Sequence, residues 1–108
     1  MIYESRTYRC VPGRLPALLK RFETTTLKLF EKHGIRAVGF FTTLVGASNQ
    51  ELTYFLAWEN LAERDSKWTA FTTDPEWLTA RAKSEEDGQI VETIANQLLT
   101  PTAFSAMK

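Results

Sequence analysis

The segment from Leu52 to Trp58 constrains the fold of this chain more than any other stretch. Six of its seven residues are apolar or aromatic, and most of them favour β-strands. Alternate side chains of a strand point to opposite faces. One face carries Leu52, Tyr54, Leu56 and Trp58, and the other carries Thr53, Phe55 and Ala57. Because both faces are largely apolar, the sequence predicts a central strand that is covered on both sides.

Two helix starts follow this strand. Asn60 comes directly before a segment with apolar residues at helical spacing, and Glu63 follows three residues later. This pattern predicts a capping box. One side of the predicted helix carries Leu61, Arg64, Asp65, Trp68 and Phe71. Asp74 and Pro75 then predict the start of a second helical segment, which continues to about Lys83.

The rest of the chain supplies three more strands and one more helix. Alternation predicts strands over residues 2–10, 35–45 and 90–99, and apolar spacing predicts a helix over residues 14–32 with Arg21 off its apolar stripe. Gly34 is typical of a left-handed helix end. We expect residues 102–108 to pack as a tail through Phe104. The order strand, helix, strand, strand, helix, strand predicts an α+β, ferredoxin-like βαββαβ fold with both helices on one face of an antiparallel sheet.

Two helices can cover only one face of this sheet. An uncovered second face that carries Phe55 would leave an apolar patch in water. The sequence therefore predicts a homodimer, a dimeric α/β barrel in which two sheets pack through their uncovered faces. With 108 residues, the chain is expected to form one domain over residues 1–108.

Composition argues against several classes of partner and site. The formal net charge is zero and the charges are interspersed, so nothing favours binding of nucleic acid. No apolar run reaches the roughly 20 residues that a membrane helix needs. Cys10 is the only cysteine and no signal peptide is recognisable, so we expect no disulfide, no membrane insertion and a cytoplasmic location. Zinc-ligand, phosphate-loop and nucleophile motifs are missing, and no metal or cofactor is predicted.

Glu4, Arg6 and Tyr8 are the most distinctive polar set. They share one face of the first strand, which is central in this topology, so we expect them to line the polar end of an enclosed cavity. Arg6 can hold a ligand carboxylate or an enolate oxygen, and Tyr8 can donate a hydrogen bond. The alternative, which we favour, is a structural Glu4–Arg6 pair, because buried charges are normally paired.

His33, Trp58, Trp68 and Trp77 complete the candidate ligand-binding residues. His33 is the only histidine, and histidine is the side chain best suited to proton transfer near neutral pH. Its place directly before Gly34 favours a structural role at the end of the helix. The three tryptophans can form a flat aromatic pocket, although core packing is the simpler interpretation of their positions. No catalytic residue is assigned.

Several stretches of the chain resemble the NIPSNAP family. Residues 2–8 followed by Pro12 and Gly13 resemble the start of that domain, and residues 51–59, 61–77 and 98–105 resemble its later parts. Ser5 departs from the leucine that the family more often has. The resemblance implies a dimeric α/β barrel. Similar folds include cofactor-independent monooxygenases of antibiotic biosynthesis, EthD-like proteins and haem-binding relatives of chlorite dismutase, which is an analogy of fold alone.

Taken together, these features favour a homodimeric barrel that binds a small, partly apolar molecule in a cavity beside the sheet. One alternative is a non-enzymatic interaction or scaffold protein, favoured by the absence of a recognisable catalytic constellation. A cofactor-independent, monooxygenase-like enzyme is the other alternative. Whether the chain is an enzyme is left open.

Overall fold

A computed structural model describes all 108 residues of the chain. The four strands are β1 (Ile2–Cys10), β2 (Arg36–Thr42), β3 (Glu51–Trp58) and β4 (Val91–Leu99). They form one sheet in the order β2-β3-β1-β4, and every neighbouring pair is antiparallel. The two central strands are therefore β1 and β3. This arrangement confirms the predicted ferredoxin-like α+β fold.

The first helix continues from Leu15 to Lys32 through a π-helical turn in its middle. Its parts are α1 (Leu15–Arg21), the π turn (Phe22–Thr26) and α2 (Leu27–Lys32). A π turn inserts one extra residue and so changes which side chains face the sheet. Arg21, which the sequence placed off the apolar stripe, is nevertheless 6% exposed. The prediction for Arg21 was wrong because Trp77 and Ser84, from a helix later in the chain, lie beside its guanidinium.

Two further helices follow β3, namely α3 (Leu61–Thr72) and α4 (Pro75–Ser84). The Asn60 side chain accepts a hydrogen bond from the Glu63 amide at 2.8 Å, as the capping pattern predicted. The Glu63 carboxylate accepts from the Glu59 amide at 3.3 Å, one residue earlier than in a standard capping box. Asp74 caps α4 by accepting from the Glu76 amide at 2.9 Å.

The helices cover one face of the sheet, and the core lies between the helices and that face. Strand β3 contributes four side chains that are 2% exposed or less, Leu52, Tyr54, Leu56 and Trp58. The opposite face, which we call the open face, has no helix on it. Strand pairing places these side chains on the open face: Tyr3, Ser5, Thr7, Phe41, Thr53, Phe55, Ala95, Gln97 and Leu99. Within one chain, the predicted cover on both sides of β3 is therefore present on one side only.

Two details of the sequence prediction were wrong. Strand β2 ends at Thr42, which pairs with Leu52, and Leu44 beyond it is 97% exposed because the ladder offers no further partner. The tail does not pack through Phe104, whose side chain is 90% exposed. Pro101 has no amide hydrogen and cannot extend the ladder of β4, so the chain leaves the sheet there. No helix has the length and apolarity needed to span a lipid bilayer.

Candidate functional site

A cavity of about 400 Å³ lies between the helix-covered face of the sheet and helices α3 and α4. Arg6 and Tyr8 reach it from β1, and Arg21 reaches it from the end of α1. Its aromatic and apolar lining consists of Trp68, Phe71, Trp77, Val91 and Ile94. Thr72, Arg81, Glu85 and Gln89 complete the lining. The cavity thus combines an aromatic wall with three cationic side chains, those of Arg6, Arg21 and Arg81.

Glu4 is the centre of a buried polar network beside this cavity. Its side chain is fully buried and accepts five hydrogen bonds from four side chains on four different elements. The donors are Arg6 at 2.9 Å, Trp58 at 3.1 Å, Arg64 at 2.9 and 3.1 Å, and Asn96 at 2.9 Å. This carboxylate therefore ties β1 to β3, α3 and β4.

The hydrogen bonds of this network determine the protonation state of Glu4. Burial alone raises the pKa of a carboxyl group, but hydrogen bonds from Arg64, Asn96 and Arg6 outweigh it and lower the pKa of Glu4 to about 2. Glu4 is consequently ionised at neutral pH. A carboxylate with so low a pKa is a poor base, and it has no proton to donate, so Glu4 is suited to positioning other side chains.

Each nitrogen of the Arg6 guanidinium has a hydrogen-bond partner. Its guanidinium donates to Glu4 at 2.9 Å, to the Tyr54 hydroxyl at 3.0 Å and to the Tyr8 hydroxyl at 3.4 Å. The same group lies 4.3 Å from the centre of the Trp68 ring, a favourable cation–π distance. The structural Glu4–Arg6 pair that the sequence suggested is present. Arg6 also lines the cavity.

Tyr8 and Tyr54 form a hydroxyl pair at the edge of this network. Their hydroxyl oxygens lie 2.8 Å apart, and register places Tyr54 directly opposite Arg6 in the sheet. Burial raises the pKa of Tyr54 well above its usual range, so its phenol stays protonated. Tyr8 reaches the cavity, whereas Tyr54 lies behind it.

Arg21 differs from Arg6 in having almost no partner. Only its Nη1 atom has one, the Ser84 hydroxyl at 3.4 Å, and its buried Nε atom donates to nothing. It forms no ion pair, because Glu85, the nearby carboxylate, is paired with Arg81 at 3.6 Å. Its guanidinium lies 5.4 Å from the ring centre of Trp77. Burial lowers the pKa of Arg21, and the charge of Glu85 opposes that effect.

The three tryptophans have different surroundings. Trp68 and Trp77 line the cavity on either side of Phe71, with ring centres 5.3 and 4.8 Å from it. Trp58 is fully buried and donates its indole hydrogen to Glu4, so it supports the network and does not reach the cavity. The sequence grouped the three as one pocket, and the structure brings together two of them.

His33 does not reach the cavity. Its Nε2 atom lies 2.8 Å from an oxygen of Asp74, which also accepts from Lys32 at 2.8 Å. His33 is the C-cap residue of α2, and Gly34 follows it with a φ of +68°. His33 thus joins the end of α2 to the Asp74 carboxylate at the start of α4.

Sequence reasoning missed three residues of this region. No partner was predicted for Arg64, but it turns inward and donates to both oxygens of Glu4. Asn96 was not singled out either, yet register places it opposite Arg6, where its amide binds Glu4. Arg21 was placed off the apolar stripe of its helix. A polar residue between Ile94 and Leu98 on one face of the last strand was a usable signal for Asn96, whereas nothing in the local sequence marked the two arginines.

The arrangement is suited to binding and orienting a small molecule. Aromatic rings can cover an apolar group, and free guanidinium edges can bind an oxygen anion or a carbonyl. No group of three His, Cys, Asp or Glu side chains is placed to hold a metal ion. Cys10 is buried, and burial raises the pKa of its thiol, which opposes formation of a reactive thiolate.

Comparison with known proteins gives this architecture a family. The NIPSNAP sequence profile matches residues 3–106. A NIPSNAP family protein of unknown function from Agrobacterium tumefaciens is 30% identical, with 100% of this chain and 94% of that chain covered and a TM-score of 0.87. An uncharacterized NIPSNAP-like domain protein from Burkholderia xenovorans is 24% identical over 96% of this chain and 87% of that chain, with a TM-score of 0.84.

More distant structures share the fold alone. A candidate antibiotic biosynthesis monooxygenase from Nitrosomonas europaea is 10% identical, with 94% of this chain and 98% of that chain covered and a TM-score of 0.63. No curated protein matches the chain. The profile match spans nearly the whole sequence and agrees with the segments that carried the resemblance. This chain therefore belongs to the NIPSNAP family.

Proposed function

We propose that this chain forms a homodimeric α/β barrel that binds a small, partly apolar molecule in the cavity beside the sheet. The observation that carries the proposal is the cavity itself, whose volume of about 400 Å³ lies within the range of small-molecule sites. Such sites are mostly apolar with a few converging polar groups. Trp68, Phe71 and Trp77 supply the apolar wall, and Arg6 and Tyr8 supply polar groups.

The network around Glu4 supports a binding role because it makes the cavity rigid. Arg6 has three hydrogen-bonding partners and an aromatic ring below it, so its position does not depend on a ligand. A preorganised site loses less conformational entropy when it binds. An empty or fully filled barrel interior would favour the scaffold alternative, whereas a cavity counts against it. The enzyme alternative has less support, because Glu4 is ionised with a low pKa and His33 lies outside the cavity.

The open face supports the homodimer. Phe41 is 57% exposed and Leu99 is 39% exposed, and the rings of Phe41 and Phe55 contact each other at 6.3 Å between centres. A sheet face with aromatic side chains on it is stabilised when a second copy covers it. A net charge of zero offers no general repulsion between copies.

Filling the cavity should abolish binding. Ile94 lies on the cavity side of β4, so Ile94→Trp places an indole in the space that a ligand would occupy. We expect 1-naphthylacetate, titrated calorimetrically, to bind the natural protein and not this variant. Leu98→Trp is the matched control, because Leu98 shares the same face of β4 but does not line the cavity. Unchanged affinity in Ile94→Trp would place any binding elsewhere and refute the proposed site.

A charge on the open face should break the dimer. Phe41→Glu places a carboxylate within the proposed contact, where burial of an unpaired charge is unfavourable. We expect light scattering to give a dimer mass for the natural protein and a monomer mass for this variant. Leu44→Glu makes the same change at an exposed residue outside the sheet and should remain dimeric. A concentration-independent monomer mass for the natural protein would refute the dimer.

A further inference from the structure

We propose that the ligand of this cavity carries a carboxylate next to an aromatic or apolar group, and that Arg21 is the residue that binds the carboxylate. This inference rests on the proposed function of the cavity and narrows the class of ligand. It assigns a role to a residue that neither the family resemblance nor the sequence pattern singles out.

The first support is the unpaired edge of the Arg21 guanidinium. Its Nη1 atom contacts Ser84 at a long 3.4 Å, while Nε and Nη2 donate to no group of the chain. Those two nitrogens form one edge of the planar group, which a carboxylate binds with two parallel hydrogen bonds once the buried Nε is turned toward it. The side chain is 6% exposed and lines the cavity. A buried guanidinium normally has a charged partner, and this one has none.

The second support is the balance of charge around the cavity. The lining carries Arg6, Arg21 and Arg81 but only one carboxylate, Glu85. Glu85 is paired with Arg81 and also accepts a hydrogen bond from the Ile90 amide at 3.2 Å. The chain as a whole has no net charge, so this excess of positive charge is local. A cavity of this kind favours an anion over a neutral molecule of the same shape.

Arg6 is less suited than Arg21 to bind the anion first. Arg6 already has a charged partner, because its guanidinium is paired with Glu4 at 2.9 Å. The guanidinium of Arg6 also faces Trp68 at 4.3 Å and uses nitrogens for two hydroxyl groups. Arg6 therefore shapes the polar wall, while Arg21 has an edge free for the ligand.

The aromatic wall indicates the remainder of the ligand. The rings of Phe71 and Trp77 are in contact, with their centres 4.8 Å apart and their planes tilted by 34°. The Arg21 guanidinium lies 5.4 Å from the centre of the same Trp77 ring. An anion on Arg21 is thus next to a broad aromatic surface. A flat aromatic acid matches both features, because its ring can pack on the wall while its carboxylate pairs with Arg21.

A charge-matched pair of probes tests this inference. We would titrate 1-naphthylacetate and its neutral amide, 1-naphthylacetamide, into the natural protein and into Arg21→Met by calorimetry at one fixed salt concentration. The natural protein should bind the acid at least about tenfold more tightly than the amide, because only the acid forms a charged bidentate pair. Arg21→Met should lose that preference and keep its affinity for the amide.

Arg36→Met is the matched control. Arg36, at the start of β2, is exposed and pairs with Glu59. It does not line the cavity, so its substitution should leave the acid preference unchanged. Arg21→Met should fold, because it replaces an unpaired buried charge with an apolar side chain of similar length. If it does not fold, Arg21→Lys decides: it keeps the charge, loses the planar edge and should retain only a reduced preference.

The outcomes separate this inference from the proposed function. Equal affinity of the natural protein for acid and amide would overturn the carboxylate assignment and leave the binding cavity standing. An acid preference that is undiminished in Arg21→Met, or in Arg21→Lys where Arg21→Met does not fold, would overturn the role of Arg21. Failure of both probes to bind the natural protein would overturn the inference together with the proposed function.

Discussion

Replacing Glu4 with glutamine is expected to lower the free energy of unfolding by about 3–5 kcal/mol. Glu4 is the single carboxylate between Arg6 and Arg64, and Arg6 is itself 7% exposed. An amide of the same shape provides only one acceptor oxygen, and it also brings two donors toward two guanidinium groups. The substitution therefore leaves buried positive charge without compensation. Urea denaturation at a fixed protein concentration measures the change.

Glu51→Gln provides the comparison for Glu4→Gln. Glu51 lies on the neighbouring central strand and pairs with Arg9 at 2.9 Å, but both side chains are partly exposed. A solvent-exposed pair contributes about 0–1 kcal/mol, so the same chemical change should have little effect there. If the two variants lose similar stability, the network around Glu4 contributes no more than an ordinary surface pair and our interpretation is wrong.

Stability is also expected to fall steeply in acid, again through Glu4. The pKa of Glu4 is lowered from 4.5 to about 2 in the folded protein. A depressed folded-state pKa gives stability that is fully present above pH 4.5 and is lost as the pH falls toward 2. A shift of this size corresponds to about 3 kcal/mol. Asp74, whose pKa is lowered by hydrogen bonds from Lys32 and His33, acts in the same direction.

Urea denaturation at a series of pH values between about 5.5 and 2.5 tests this expectation. The natural protein should lose stability across that interval. Glu4→Gln cannot bind a proton at this position, so its stability should be lower at the upper end and should depend less on pH. Parallel pH profiles for the two proteins would show that the carboxyl group of Glu4 titrates normally, and they would contradict the pKa derived from its hydrogen bonds.

The two parts of the site differ in role. The network around Glu4 positions side chains, and the unpaired Arg21 is the proposed ligand-binding residue. Glu4 is an ion-pair partner of both Arg6 and Arg64, whereas Arg21 has no ion-pair partner within the chain. A buried unpaired polar group lowers stability, and such groups are concentrated at functional sites. The proposed carboxylate ligand would supply the missing partner, and binding should therefore stabilise the fold.

Local patterns in the sequence determined the strands, the helices and their caps. The alternation in β1 and β3, the Asn60 and Asp74 caps and the left-handed Gly34 each depend on neighbours within a few residues. The order of these elements then restricts the topology to very few choices. The sequence also marked a distinctive polar set on β1, namely Glu4, Arg6 and Tyr8. Three polar side chains on one face of a central strand are costly to bury unless they have partners.

Only the tertiary structure decided which partners those side chains have. Arg64 and Asn96 are 60 and 92 residues away from Glu4 in the chain, and they meet it because register and helix packing bring them together. Arg21 is buried because α4 packs beside α1, with Ser84 and Trp77 next to its guanidinium, and no periodicity within α1 indicates that contact. Secondary structure follows from short-range preferences, whereas the site is formed by long-range contacts whose geometry depends on how every element packs.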